Sequence, residues 1–406
     1  MTSEALIRSE WDPRRATTIA VAAFSTVVPL FLFGAFVGEI RAEIGLSDIE
    51  VGVVSGAFFA SSGLFGIPSG AVVMRIGADR SMLVALLVSL ASLVGLTFLV
   101  ASAWHLVLFM LVAGGANALS QTATSSAMLG AVPARYYGMA FALKQINGPV
   151  ASIFASLVLA FVITVMRSGW RSGFVIAIAA AVTLLALGLR MQPRDPAPGA
   201  RDHRSRTTSP WRLTPQVTLL LTAATLAASI AAVLAAFFVL FLLEGGLTTT
   251  RAAGLLSVGG LAGIAGRLMW GFVSDRSTIP VTRLLALVFT LGAGGLFMLP
   301  RSLDSGLIAL VAVLAFATAG SWQGMLLLRG ATIDRDRSAS TIGMLMTGIG
   351  LGGSLGPPAF GALVSSTSYQ VAWSSGSGVL FLAALAMAAL TRLEAERSVS
   401  GHGAVG

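Results

Sequence analysis

Two cationic side chains lie well inside long apolar runs of the sequence, and both could bind an anion. They are Lys144, which is the sole lysine of the chain, and Arg267. An ionisable residue inside a membrane span is costly and marks a functional site by default. A guanidinium suits a carboxylate because its planar fork donates two parallel hydrogen bonds and stays protonated. We therefore expect Arg267, assisted by Lys144, to bind a small organic anion.

Each cation also has a structural interpretation. Lys144 could extend its amine to the cytoplasmic interface, and Arg267 could bond the free carbonyls of a broken helix. Five further polar residues could line a cavity beside them, although hydrogen bonding between helices explains each equally well. These five residues are Asn117, Gln121, Asn147, Trp322 and Gln323.

The elements that must position these residues are helices in a bilayer. Of the 406 residues, 56% are hydrophobic and 11% are charged, and the mean hydropathy is +0.88. Soluble domains carry about 25% charged residues, so this chain cannot cover a water-facing surface. Apolar runs long enough to span a membrane occur near 17–38, 49–73, 81–101, 104–129, 137–165, 171–190, 215–243, 249–275, 280–300, 305–330, 337–366 and 370–392. Because Leu83–Val100 lacks β-barrel alternation, we predict an all-α membrane protein with twelve transmembrane helices.

The arginines predict the orientation, because cytoplasmic loops retain basic residues. With the N-terminus inside, nineteen arginines are cytoplasmic and five are outside. The five are Arg41, Arg167, Arg171, Arg251 and Arg301. We expect both termini in the cytoplasm of a bacterium, a multi-pass protein of its inner membrane, and no removable signal peptide. The net charge of +9 resides in these short loops, so we expect lipid rather than nucleic acid as the partner.

A stretch rich in Pro, Arg and Ser at 191–214 predicts a flexible cytoplasmic linker. It divides the chain into two predicted six-helix bundles, 17–190 and 215–392, flanked by cytoplasmic tails at 1–16 and 393–406. Many transporters are built this way, as two repeats related by a pseudo-twofold axis normal to the membrane.

The two halves share motifs at matching places. A loop motif follows the second span of each half, and a Gly-Pro pair occurs in the fifth and eleventh spans. Their residues are Gly70, Arg75, Gly77, Asp79, Arg80, Gly271, Asp275, Arg276, Gly148, Pro149, Gly356 and Pro357. Any one such glycine is most simply explained by helix packing. The repetition at matching places in both halves is a different kind of signal from any single glycine.

These motifs resemble those of the major facilitator superfamily, in the two loops and in the fifth and eleventh helices. The resemblance covers nearly the whole chain and implies transport by alternating access, with loop charges latching a cytoplasmic gate. Met74 stands where the family usually has Asp. The latch would then depend mainly on Asp79, Arg80, Asp275 and Arg276. The family fold also makes the fifth and eighth helices neighbours, which implies that Lys144 and Arg267 lie close, at depths of roughly 10 and 12 Å from the cytoplasmic end.

The run Gly266-Arg267-Leu-Met-Trp-Gly271 resembles monocarboxylate and oxalate transporters of this superfamily, in which an arginine at that place binds substrate carboxylate. The monocarboxylate carriers have an acid one turn earlier, where this chain has Gly263. Lys144-Gln145 before Gly148-Pro149, and the run 320–324, also resemble bacterial members that handle small organic acids or cyanate-like anions.

We therefore expect a secondary active or facilitative transporter for a small organic anion. Proton symport, anion exchange and uniport all stay open as coupling modes, with a proton or a counter-anion as the coupling ion. We expect a monomer without cofactor, metal or catalytic residues. No Gly-rich loop precedes the lysine to bind ATP, the three histidines fall in loops or tails, and there is no cysteine.

Two alternatives compete with this reading. One is an exporter of hydrophobic drugs or metabolites, an antiporter class in which the Gly-Pro pair is also common. Against it, Glu39 and Glu244 lie only at the outer ends of their spans, and no acid lies deep in the first or fourth span. The other is a non-transporting membrane sensor, against which no additional soluble domain is present.

Overall fold

A computed structural model describes residues 13–129, 144–190, 213–303, 305–333 and 338–402. Within these residues the chain is helical throughout, with short connections. The helices are α1 (Pro13–Ser25), α2 (Val28–Ala35), α3 (Val37–Ile44), α4 (Asp48–Leu64), α5 (Gly66–Ile76), α6 (Ala78–Phe98), α7 (Ala103–Leu129), α8 (Asn147–Phe161), α9 (Arg171–Arg190), α10 (Pro215–Glu244), α11 (Thr249–Arg276), α12 (Val281–Met298), α13 (Ile308–Thr318), α14 (Gln323–Ile333), α15 (Ser338–Ser366) and α16 (Tyr369–His402). A π-helical turn at Val162–Met166 extends α8, and a 3-10 turn at Leu299–Arg301 follows α12.

Eight spans of the described chain are long and apolar enough to cross a membrane. The segments Ile19–Ala35 and Val37–Ile44 form a ninth candidate, which is bent by 64°. Other predicted spans fall on the shorter helices α4, α5 and α9, and on α15, which contains Pro357 and Pro358. The helical prediction is confirmed, whereas the count of twelve spans and the symmetry of two bundles stay predictions. The predicted linker lies almost wholly outside the described residues, which stop at 190 and resume at 213.

Side-chain caps determine where three of these helices begin. Ser47 and Glu50 form a reciprocal capping box at the start of α4, where Glu50 N donates to Ser47 Oγ and Ser47 N donates to Glu50 Oε2. Thr214 caps α10, and Thr248 caps α11 by accepting from the backbone N–H of Arg251. Because Thr248 fixes the first turn of α11, the buried cation of that helix lies about five turns further along it.

Small residues set the contact between the two sequence halves, residues 13–190 and 213–402. A Cβ atom added at Gly34 of α2 would lie 2.0 Å from Ala235 O of α10. One added at Gly52 of α4 would lie 2.3 Å from Pro357 O of α15. The helix backbones therefore touch, which requires glycine at these positions and is typical of membrane helix packing.

An ion cluster lies at one end of this interface, and we call that end the closed end. Arg41 Nη1 donates to Asp48 Oδ1 at 3.0 Å and also to Glu244 of the other sequence half. Ser365 Oγ in α15 donates to the second oxygen of Asp48 at 3.4 Å. Arg41 and Glu244 are 30% and 44% exposed, so each pair is worth only about 0–1 kcal/mol. Packing between the helices, rather than charge, accounts for most of this contact.

The same interface opens toward its other end. Three glycines of α4 contact α15, namely Gly52, Gly56 and Gly63. At helical spacing, the same face continues into α5 at Gly66 and Gly70. Within the part of the chain that the structure describes, no neighbouring atom lies within 4 Å of a Cβ atom built at either of these last two glycines. Among the described residues, the sequence halves are thus packed at the closed end and make no such contact at Gly66 and Gly70, and we call this second end the open end.

Gly34→Ala tests the backbone contact between α2 and α10. The added methyl group meets Ala235 O, so the variant should lose about 1–3 kcal/mol of stability and show a lower Tm in detergent. Gly254→Ala in α11 is the control because its Cβ atom meets open space, and alanine there should be neutral or stabilising by up to about 1 kcal/mol. Equal Tm values for the two variants would contradict the close approach.

Candidate functional site

Arg267 lies in α11 with most of its hydrogen-bonding capacity unused. Its Nη1 donates to Gly263 O, 3.0 Å away and one turn earlier in the same helix. Its Nε is buried and has no hydrogen-bond partner among the described residues. None of the ion pairs found within those residues includes Arg267. This guanidinium therefore has a free Nε edge and no protein carboxylate in the described part of the chain.

Gly263 brings Arg267 to a junction of three segments. A Cβ atom at Gly263 would lie 3.3 Å from Pro149 Cγ of α8 and 3.2 Å from Arg267 Nη1. On the other side, Ser321 Oγ donates to Gly263 O at 3.2 Å, from the segment between α13 and α14. The missing side chain at 263 thus provides the space into which Arg267 folds, beside the Gly-Pro pair of the other sequence half.

Lys144 is buried, with 8% of its surface exposed. Its Nζ donates to Gln121 O at 3.0 Å and to Ser125 Oγ at 2.6 Å, both on α7. The ammonium group therefore ties the residues just before α8 to α7 through neutral acceptors. Sequence reasoning selected the α7 face at Asn117 and Gln121 but missed Ser125, which lies one further turn along the same face.

Asn147 and Asn117 both make contacts between helices. Asn147 Nδ2 donates to Ala23 O of α1 at 3.0 Å, and its Oδ1 accepts from Gly148 N at 2.9 Å. Asn117 Nδ2 donates to Ser62 Oγ of α4 at 3.0 Å, whereas its Oδ1 is buried without a partner in the described chain. Asn147 is fully engaged as a brace, and Asn117 keeps one unused acceptor.

Trp322 and Gln323 stand at the start of α14. Trp322 is fully buried and packs its ring against Phe289 of α12 at a centroid distance of 6.0 Å. Its Nε1 has no hydrogen-bond partner among the described residues. Gln323, the first residue of α14, is half-buried. Trp322 therefore belongs to the packed core of the second sequence half, with one buried donor left over.

The two Gly-Pro pairs lie at equivalent contacts. Pro149 of α8 packs on Gly260 and Gly263 of α11, and Pro357 of α15 packs on Gly52 of α4. Each proline thus meets glycine from the other sequence half. Gly148 lies beside the ring of Phe31, and Gly356 packs on Ser229 of α10. The motif that repeats in the sequence therefore corresponds to a contact that repeats in the structure.

The loop motifs lie at the open end. Gly77 has a positive φ of 85° between α5 and α6, and Arg75 and Arg80 are exposed. Arg276 stacks on its neighbour Phe272, with its guanidinium carbon 4.2 Å from the ring centroid. No ion pair to Asp79 or Arg80 is present among the described residues, and a Cβ atom at Gly271 would meet open space. The side chain of Asp275 lies outside the described part, so the expected latch stays a prediction.

The chain as described also offers no metal site, since no group of three His, Cys, Asp or Glu side chains is placed to hold an ion.

Comparison with known proteins identifies the family. Residues 19–327 match the Major Facilitator Superfamily.

The chain belongs to this superfamily. Two relatives are an uncharacterised MFS-type transporter of Enterobacter sp. (strain 638) and the uncharacterised MFS-type transporter YcaD of Escherichia coli. They are each 25% identical to this chain, over 278 and 279 residues respectively, which is 68% of this chain and 68% of each relative. The sequence-based assignment to the superfamily is confirmed, whereas these relatives carry no substrate in their names.

Solved structures share the superfamily fold. The nucleoside transporter NupG matches with a TM-score of 0.72 at 15% identity, over 93% of this chain and 99% of that one. A bacterial homologue of the human lysosomal transporter Spinster, inward-facing and occupied, matches with a TM-score of 0.68 at 17% identity, over 93% and 96%. At such identities the likeness concerns the fold alone.

Ser125→Ala tests the ammonium contact of Lys144. Loss of the hydroxyl leaves a buried ammonium short of an acceptor, so the variant should be destabilised by about 1–3 kcal/mol. Lys144→Met should be near neutral, because Ser125 Oγ also donates to Gln121 O at 2.7 Å and stays satisfied. The double variant should recover the Tm lost in Ser125→Ala. Additive losses would contradict the contact.

Proposed function

We propose that this superfamily member is a secondary transporter for a small organic anion, whose carboxylate binds Arg267. Transport would proceed by alternating access of a site between the two sequence halves. The observation that carries this proposal is the buried Nε of Arg267, which has no partner among the described residues.

Electrostatics support an anionic substrate. Burial of a guanidinium without a counter-charge is costly, and an opposite charge supplied by a ligand offsets that cost. Nη1 is the one guanidinium nitrogen that bonds a described residue, so the Nε–Nη2 edge has no partner in the described part of the chain. That edge is the one that accepts a carboxylate through two parallel hydrogen bonds. A substrate carboxylate would thus complete the hydrogen bonding that the described chain leaves incomplete.

Lys144 takes a different part in this proposal. It already bonds two neutral oxygens of α7 and has no carboxylate partner among the described residues. We assign it to holding the start of α8 against α7, while its positive charge adds to the potential that attracts an anion. Arg267 alone supplies the direct contact with substrate.

The proposal also covers orientation and coupling. With both termini in the cytoplasm, the closed end faces outward and the open end faces the cytoplasm of a bacterial cell. The cation site would then be loaded or emptied from the inside in this conformation. Proton symport, anion exchange and uniport remain alternative coupling modes of the same site.

One observation favours a second candidate, an exporter of lipophilic cations. Glu39 lies in α3 of the bent span, and its Oε2 is buried without a hydrogen-bond partner among the described residues. The sequence places this acid at the outer end of a span, where it would be solvated. A buried, unpaired carboxylate can carry a proton or attract a cation, as a drug antiporter requires.

Ligand-induced thermal stabilisation separates the two candidates. The purified protein would be heated with a panel of small mono- and dicarboxylates, glucose and tetraphenylphosphonium. We expect a carboxylate to raise the Tm. Arg267→Gln should lower the affinity for that carboxylate at least about tenfold, because it removes a bidentate contact worth more than about 1.4 kcal/mol. Arg267→Lys should not restore binding, since an ammonium lacks the fork.

Arg251→Gln is the matched control, because it removes the same charge from an exposed site on the same helix. It should keep the wild-type response to carboxylates. Stabilisation by tetraphenylphosphonium that disappears in Glu39→Gln would identify an exporter instead. A carboxylate response that persists in Arg267→Gln, or a response to glucose alone, would refute the anion site.

A further inference from the structure

A cavity with two unpaired arginines lies between α12 and α16, away from Arg267. Its volume is about 300 Å³. The lining residues are Arg283, Ala286, Ala388, Thr391, Arg392 and Ala395. Both arginines are exposed, and neither side chain makes a hydrogen bond or ion pair with a residue that the structure describes. The cavity therefore combines a cationic mouth with a floor of small apolar residues.

Hydrogen bonds between α12 and α16 fix the relative position of the two helices that line the cavity. Thr391 Oγ1 donates to Thr282 Oγ1 at 2.8 Å, which fixes the start of α12 against the last turns of α16. The nearby acid Glu394 is already engaged, because Arg329 Nε donates to it at 3.1 Å and Thr282 Oγ1 donates to its other oxygen at 3.3 Å. Arg329 thus compensates the negative charge of Glu394, which leaves the positive charges of Arg283 and Arg392 without a partner among the described residues.

An apolar strip leads from the cavity along both helices. On α12, Leu287 and Leu291 follow Arg283 at four-residue spacing and are 47% and 38% exposed. On α16, Leu385 and Phe381 lie on the face of Arg392 and are 49% and 44% exposed. A small soluble anion would not contact such a strip, whereas a lipid needs both a site for its charged headgroup and an apolar surface for its acyl chains.

We propose that this cavity binds the phosphate headgroup of an anionic phospholipid, with the acyl chains along the Leu287–Leu291 strip. Arginines suit phosphate because the guanidinium donates several hydrogen bonds to its oxygens. Basic pockets between membrane helices on the cytoplasmic side bind such headgroups, and the positive-inside assignment puts this end of α12 there. The site is independent of the substrate proposed for Arg267.

Lipid-dependent stability and native mass spectrometry test the site. Protein in neutral detergent would receive phosphatidylglycerol, phosphatidylcholine or 10 mM inorganic phosphate, on the order of concentrations that saturate a weak anion site. We expect phosphatidylglycerol to raise the Tm and to remain bound in the mass spectrometer, with phosphatidylcholine and phosphate giving little effect. Arg283→Gln/Arg392→Gln should lose at least half of the phosphatidylglycerol shift.

Two further variants separate the headgroup contact from general charge effects. Arg167→Gln/Arg251→Gln removes two exposed arginines from the opposite end and should keep the full lipid response. Ala388→Leu fills the cavity without changing charge and should lose the response. An unchanged response in Arg283→Gln/Arg392→Gln, equal loss in the control pair, or an equal shift from inorganic phosphate would overturn the proposal. A lower Tm of a variant in neutral detergent is subtracted before the lipid shifts are compared.

Discussion

Hydrocarbon offers no hydrogen bonds, so polar groups inside this protein must find partners within the chain. Several of its hydroxyls do so in the simplest way, by donating to the carbonyl four residues earlier. Thr26, Thr97 and Thr124 are examples in three different helices. Eleven buried side-chain nitrogen or oxygen atoms of the described residues have no partner, and Arg267 Nε is the one among them that belongs to a cationic side chain. A charged group in this state is stable if something else supplies the acceptor, and the account of the anion site rests on this constraint.

The contact between the sequence halves explains how such a site could be reached. At the closed end, glycines let α2 meet α10 and α4 meet α15 at backbone distance, and Arg41 adds ion pairs that are partly exposed. Such contacts are individually weak, so they can separate and re-form without loss of the helices themselves. Pro149 and Pro357 stand at this boundary, each against glycine of the other half. A substitution at these glycines changes the interface on which the proposed alternating access depends.

The sequence predicted the helical architecture and the superfamily. These follow from local composition, spacing and motifs, which a single chain displays directly. It did not predict the partners of Lys144 or of Arg41, because Gln121 and Glu244 lie 23 and 203 residues away from them. Nor did it predict that Glu39 Oε2 is buried, because the flanking Gly34 and Gly38 do not by themselves specify the 64° bend between Ala35 and Val37. Long-range pairing and helix bends require the packed structure.

The central claim is that the free edge of Arg267 is kept for a ligand carboxylate. The most direct measurement is a cryo-electron microscopy structure of the protein equilibrated with the carboxylate that stabilises it most. The account predicts ligand density within hydrogen-bond distance of Arg267 Nε and Nη2, between α8 and α11. An Nε that bonds a protein oxygen, or ligand density elsewhere in the bundle, would contradict it.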